Sequence, residues 1–245
     1  MTTATCTSAT HASPIILHTQ LIGQPQNHTD SNGTWRSSIF RIPVSAPLEL
    51  TLRGFAGDQV TDTKNHGAPG QAVCCFPLAH YASWNHEYSL GPERALGPGS
   101  LGENWTLTNI TESEVCVGDV FTVGADKNHP ADKNHPADKK HPSAMVQVTA
   151  PRYPCSKQER KVQIPGFVEA VKQTMRTGWY LRVLTPGHVQ AGDALTLTER
   201  PYPEATIHRL NANLFGKLEP DFARAVLALP EVHPGWKEIL AHKIG

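Results

Sequence analysis

The apolar residues of this chain come in short runs, and turn-forming residues cut most of them off. Ile15–Ile22, Trp105–Leu107, Val115–Val117, Val120–Val123, Met145–Thr149, Trp179–Leu184 and Ala194–Leu197 all have strand length, with Gly, Pro, Asn or Asp beside most of them. Residues 37–52 hold further short β-type runs broken by Pro43 and Pro47, and the polar stretch 24–34 reads as a loop. With 19 Gly and 20 Pro in 245 residues, long helices and coiled coils are excluded. Two segments have helical spacing instead. Residues 76–88 place Leu78, Tyr81, Ala82 and Trp84 on one face, and 167–176 place Phe167, Val168, Val171 and Met175 on one stripe, with Gly178 as a stop. Many short strands with few helices predict a β-barrel or sandwich with embedded helices.

After Arg200-Pro201-Tyr202-Pro203 the β-pattern ends. Residues 206–215, 220–229 and 234–243 read as three short helices, separated by Gly216 and by Pro230 with Pro234. The chain therefore divides into a tail expected to be disordered (1–14), a main β domain (15–200) and a small three-helix domain (204–245). The last falls below the size that usually folds alone and is expected to dock on the barrel or on a partner.

Lys and Arg total 22 and so do Asp and Glu, giving zero net charge. That argues against bulk attraction to nucleic acid or an anionic membrane and leaves room only for a local patch. No run approaches the ~18 apolar residues of a membrane span, and the first residues lack the basic and apolar parts of a signal peptide, so a cytoplasmic location is expected. The five cysteines (Cys6, Cys74, Cys75, Cys116, Cys155) are odd in number and lack C-x-x-C spacing, which points away from a disulfide framework or a zinc site. The one internal repeat, DKNHPA-DKNHPA-DKKHPS at 126–143, carries His129, His135 and His141. It reads as an expanded, solvated hairpin loop rather than a built metal site, since its residues bury little apolar surface.

Three segments could carry chemistry. In Ala150-Pro151-Arg152-Tyr153-Pro154-Cys155-Ser156-Lys157, two prolines fix the backbone around one cysteine, and Arg152 and Lys157 would favour its thiolate. Lys64-Asn65-His66-Gly67-Ala68-Pro69-Gly70 and Gly99-Ser100-Leu101-Gly102-Glu103-Asn104 are glycine-bearing loops able to bring backbone N–H groups close to a ligand. Asp58 and Asp62 read as turn residues.

Taken together, GDQVTDTKNHGAP (57–69), FPLAHYASWNHEY (76–88), SLGENWTLTNITESEVCVGDVFTVG (100–124), APRYPC (150–155) and RTGWYLRVLTPGHVQAGDALTL (176–197) resemble the MOSC domain, named for the C-terminal part of molybdenum cofactor sulfurases. SSIFRIPV (37–44) also fits, and the likeness extends over residues 15–240. It is similar to the stand-alone branch in which a three-helix domain follows the barrel. The resemblance implies a mainly β fold, a barrel with peripheral helices. It implies a molybdenum cofactor, with Cys155 as the metal's thiolate ligand. Arg41, Arg152 and Arg176 become candidates for the pterin phosphate, and His66, Gly67, Gly102, Glu103 and Asn104 candidates for lining the pocket. His66 or Glu103 would donate protons. Ala68 stands where the family pattern has a second glycine.

Relatives of this type reduce N-hydroxylated compounds, including hydroxylaminopurines, to amines. The implied partners are a small N-hydroxylated substrate, a separate electron-donor reductase and, for the three-helix unit, that reductase or a second copy of the chain. The alternative the resemblance leaves open is a non-enzymatic cofactor or sulfur carrier. A sulfurase is disfavoured because the chain lacks a pyridoxal-phosphate domain. A cofactor-free cysteine hydrolase would need a histidine beside Cys155, for which His66 is the candidate.

Overall fold

The computed structural model describes residues 13–63, 66–124 and 143–245. The tail and the hexapeptide repeat fall outside them, apart from Ser13, Pro14 and Ser143. The first strand, β1 (Ile15–Ile22), leads into a hairpin, β2 (Gln26–Asp30) and β3 (Gly33–Ser37). Then come β4 (Ile42–Pro43), β5 (Leu48–Thr51), β6 (Gly54–Phe55) and β7 (Val73–Pro77). Helix α1 (Ala79–Glu87) separates β7 from β8 (Trp105–Thr108), followed by β9 (Val120–Gly124) and β10 (Ala144–Pro151). Helices α2 (Ser156–Val162) and α3 (Phe167–Thr174) precede β11 (Trp179–Thr185), β12 (Gly187–Val189) and β13 (Ala194–Glu199). The chain ends in α4 (Ile207–Phe215), α5 (Pro220–Ala228) and α6 (Pro234–Ile244).

Seven strands close a barrel in the order β13-β9-β10-β11-β7-β8-β1, with β1 returning to β13 through Ile15 opposite Leu195. Closure removes the open edges that would invite pairing with other chains. Among the described pairings only β7–β8 is parallel. Parallel neighbours need a crossover. Here it spans α1 and the loop before β8, and it returns the chain to the end of the barrel where Gly102 and Asn104 lie. Short strands cover the outside: β12-β5-β6 form one small sheet.

The barrel core is apolar and continuous with the C-terminal helices. Trp105, Leu107, Val146, Val148 and Leu181 belong to the same buried cluster as Ile207, Leu210, Val226, Trp236 and Leu240. The three helices have no separate core of their own, as expected for so small a unit. A second cluster packs α1 against α3 on the barrel's flank, through Phe76, Tyr81, Trp84, Phe167 and Val171.

Several expectations are corrected. Residues 24–34 are largely hairpin rather than loop: Asn27 pairs with Arg36 and His28 with Trp35, and Asn32 N–H caps Asp30 across the turn at 2.8 Å. One face of this ribbon is partly buried, His28 stacking on Phe40 and Arg160 lying over the Trp35 ring, but apart from Trp35 its residues are polar, so no apolar alternation marks it. The helix expected at 76–88 begins only at Ala79; Val73–Pro77 is a wholly buried strand, and a strand covered on both faces carries no period. Val115–Val117 is not a strand. Its backbone instead meets the lead into α4, Val117 N–H donating to Ala205 O at 2.9 Å and Ile207 N–H to Val115 O at 2.9 Å. Helix α2 lies in a stretch without apolar periodicity, with only Gln158 and Val162 buried.

Candidate functional site

At one end of the barrel, loop segments and two barrel strands surround a cavity of about 660 Å³, counting the part open to solvent. Its walls come from residues 37–41, Val60 to Asp62 with His66 and Gly67, Gly102 with Asn104, the run 152–157, and Cys74 and Tyr180 on the barrel strands.

Arg41 is braced from two sides. Its Nε and Nη2 form a fork on Asp58 at 3.2 and 2.9 Å, and its Nη1 donates to Gly102 O at 2.7 Å. Asp58 also accepts from Gly23 N–H at 2.7 Å and from Asn104 Nδ2 at 3.0 Å. Asn104 Oδ1 accepts Cys74 N–H at 3.1 Å, and Nδ2 also donates to Leu21 O at 3.2 Å. The amide is thus consumed in holding β1, β7 and the Asp58 loop together. Gly102 has φ +76°, and a Cβ there would stand 2.3 Å from Ile39 Cγ1, so only glycine lets the two walls approach.

Arg152 follows the end of β10 directly. It is 6% exposed, and its Nη1 is buried with no hydrogen bond among the described residues. Burial disfavours its charge; coupling to Cys74, Tyr180 and Cys155, were they ionised, and to Glu103 outweighs that and raises its pKa further above the ordinary value. Cys155 is partly exposed at the N-cap of α2, where Gln158 Oε1 accepts its N–H at 3.0 Å and fixes the backbone. Lys157, two residues on, lines the same cavity.

His66 faces this cationic wall. Burial first, then Arg152, Lys157 and Arg41, push its pKa down to about 4, against a smaller upward pull from Asp62. The ring is therefore neutral at physiological pH. In the unfolded chain it would take a proton near pH 6.5. Between pH 6.5 and 4 the unfolded state thus binds more protons than the folded one, and stability falls as pH falls through that window. The loss amounts to ~3 kcal/mol at most, and His66→Gln removes it. Urea unfolding of both proteins at pH 7 and pH 4.5 checks this: parallel losses in the two would exclude His66 as the source.

The structure gathers Arg41, His66, Gly67, Gly102, Asn104, Arg152 and Cys155 around one cavity. It sets two predicted residues apart. Arg176 pairs with Glu87 at 2.7 Å and lies over the Trp84 ring at 4.7 Å, outside the residues lining the cavity. Glu103 is fully buried behind the wall, its Oε1 accepting from Tyr81 Oη at 2.5 Å, Gly99 N–H at 2.6 Å and Thr106 Oγ1 at 2.9 Å. That oxygen is engaged in shaping the 99–104 loop. Sequence reasoning missed Asp58 and Lys161. Lys161 Nζ donates to Ile39 O at 2.8 Å and to Gly99 O, bridging two walls, and burial pushes its pKa down to about 8. No local signal marks either residue, since their partners lie 17 and 62 or more positions away.

Fold and site together define a seven-strand β-barrel with a thiol-bearing, cationic cavity at its mouth. Residues 62–196 match the MOSC domain. The chain is 35% identical over 179 residues, 73% of its length and 71% of the relative's, to the uncharacterized protein YflK of Bacillus subtilis. It is 29% identical over 175 residues to a protein of Gibberella moniliformis named "Reductase", matching 71% of this chain and 28% of that protein. The crystal structure of YiiM from Geobacillus stearothermophilus aligns with a TM-score of 0.72 at 26% identity, over 95% of this chain and all of that one. The chain belongs to the MOSC domain family. Among the described residues no helix is long and apolar enough to cross a membrane.

Proposed function

We propose that this protein binds a molybdenum cofactor and reduces N-hydroxylated substrates, hydroxylaminopurines among them, to amines. Arg152 is the observation that carries the reading. A buried guanidinium nitrogen without a partner is costly, and a fold tolerates it where an anion completes the site. The pterin's phosphate is such an anion, and Arg152 with Lys157 would hold it. Cys155, at the same cavity, offers the thiolate that a soft-tolerant metal takes. The donor set therefore fits the group.

When bound, the cofactor supplies the two-electron chemistry that N–O cleavage requires. Conversion of N–OH to N–H takes two electrons and two protons and releases water. The chain's own residues position and exclude. Asp58 and Gly102 lock Arg41 at one wall, which fixes the cavity's width. His66, neutral above about pH 4, offers one ring N–H and one bare ring nitrogen, so it can pass a proton across its ring rather than store one. Electrons come from a separate reductase. The Gibberella relative's name supports a reductive role, and membership of the MOSC family supports the cofactor.

The test is expression in a host that makes molybdenum cofactor, with molybdenum and released pterin measured per chain for the wild type and Cys155→Ser. Near-stoichiometric metal in the wild type and a sharp loss in the variant are expected, followed by amine formation from a hydroxylaminopurine with a reduced dye as donor. A folded wild type without molybdenum or pterin overturns the reading. Bound cofactor with no turnover from any donor would point to a carrier.

A further inference from the structure

We propose that Tyr153 is the surface against which a substrate's planar ring stacks, and that Phe215 of α4 holds Tyr153 in position. The inference rests on the reading above and deepens it, because it names the substrate's shape and the residue that selects it. Arg152, Tyr153 and Cys155 all line the cavity, but they differ in depth. Arg152 is 6% exposed at its wall, whereas Tyr153 is 43% exposed at the rim. Pro151 and Pro154 limit the backbone on both sides, so this alternation is held rather than sampled. The interior wall carries Arg41, Arg152 and Lys157, which suit an anionic group, and its apolar surface, from Ile39 and Val60, is aliphatic. Two further rings line the cavity: Tyr180 is 7% exposed and belongs to the barrel wall, and the His66 imidazole faces the cationic side chains. Tyr153 is thus the exposed tyrosine that a ring entering the mouth meets first.

Its support comes from the C-terminal unit. The Tyr153 and Phe215 rings lie 5.7 Å apart between centroids, tilted by 57°. One tilted contact restrains a ring without covering it. It also brings the last helices into the site: Phe215 ends α4, whose Leu210 is anchored in the barrel core. Stacking accepts any flat π-system, so the selection is for planarity rather than for one base.

Affinities of a hydroxylaminopurine and of an acyclic N-alkyl hydroxylamine are measured by calorimetry, without electron donor, on the protein as isolated. The wild type, Tyr153→Phe, Tyr153→Leu and Phe215→Leu are compared. Tyr153→Phe keeps the ring and is expected to bind the purine like wild type. Tyr153→Leu is expected to bind it about tenfold more weakly, and Phe215→Leu several-fold more weakly. The acyclic compound should change by less than about twofold in every variant. Equal purine binding by wild type and Tyr153→Leu, or an equal loss for both ligands, overturns the proposal. Ring binding that depends on Tyr153 in a protein devoid of molybdenum would uphold it while overturning the cofactor reading.

Discussion

Arg152→Met is expected to abolish cofactor retention while leaving the cofactor-free protein about as stable as before. A structural arginine and a ligand-binding arginine differ in this respect. Its Nη1 has no partner among the described residues, so deleting the guanidinium breaks no hydrogen bond from that atom. Cys74 and Tyr180, whose pKa values burial pushes up, are neutral at pH 7. Glu103 remains as the nearby counter-charge, and three donors already serve one of its oxygens. Removing Arg152 then trades a desolvated cation against a weakened attraction to Glu103, a net change within ~2 kcal/mol in either direction. For a bound phosphate the arithmetic is one-sided. Two charge-assisted hydrogen bonds at ~1.5–3 kcal/mol each convert to a loss of at least about a hundredfold, at ~1.4 kcal/mol per factor of ten. Arg152→Lys should fall between, keeping the charge and losing the fork. Urea unfolding of cofactor-free protein, beside pterin and molybdenum content of loaded protein, separates the cases. A fall of more than about 3 kcal/mol in stability with unaltered retention would make Arg152 a structural cation and remove the main support for the proposed function.

The barrel could be read from the chain because its antiparallel strands are short, apolar and cut off by turns. Trp179–Thr185 and Ala194–Glu199 stand within a residue or two of their expected ends. The crossover was hidden. Val73–Pro77 is buried on both faces, so it has no alternation, and it runs straight into the apolar start of α1. The ribbon 26–37 was hidden for a different reason: its partly buried face holds one apolar residue, Trp35, among polar ones, although Asp30-Ser31-Asn32-Gly33 is a turn sequence. The site divides in the same way. The residues read from local motifs, Cys155, Arg152, His66, Gly67, Gly102 and Asn104, do line one cavity. Those whose position depends on a distant partner could not be placed. Arg176 stands beside Thr177-Gly178 in the chain, yet Glu87, 89 positions away, draws it off. Asp58 sits in a turn-like sequence, yet it is the carboxylate that aims Arg41. Spacing along a chain reports periodicity and turns; it carries no information about which charge a long side chain will reach.

The second large effect is expected at Glu112, which lies outside the cavity and supports it. Glu112 is 3% exposed, with Oε2 2.7 Å from His80 Nε2 and Oε1 accepting Gly178 N–H at 2.7 Å. Gly178 has φ +73°, and a Cβ there would stand 2.2 Å from Cys75 O, so the turn admits no other residue without distortion. The oxygen of Gly178 in turn accepts Arg152 N–H at 3.0 Å, and Thr177 Oγ1 accepts from Asn211 Nδ2 of α4 at 2.8 Å. One carboxyl group therefore ties α1, the turn before β11 and, through that turn, the backbone of Arg152. Glu112→Ala leaves the His80 ring nitrogen and the Gly178 N–H buried without partners, at ~1–3 kcal/mol each. A loss of ~3–5 kcal/mol follows, which for a chain of this size lowers the thermal midpoint by ~6–20 °C. Glu112→Gln keeps an oxygen for Gly178 and an N–H₂ for His80, and is expected to recover more than half of the loss. If the turn is what aims Arg152, cofactor retention should track Gly178 rather than overall stability. Glu112→Ala assayed well below its own melting temperature should still retain less cofactor than Glu112→Gln. Full retention by a folded Glu112→Ala protein would show that Arg152 is held in place by the barrel end alone.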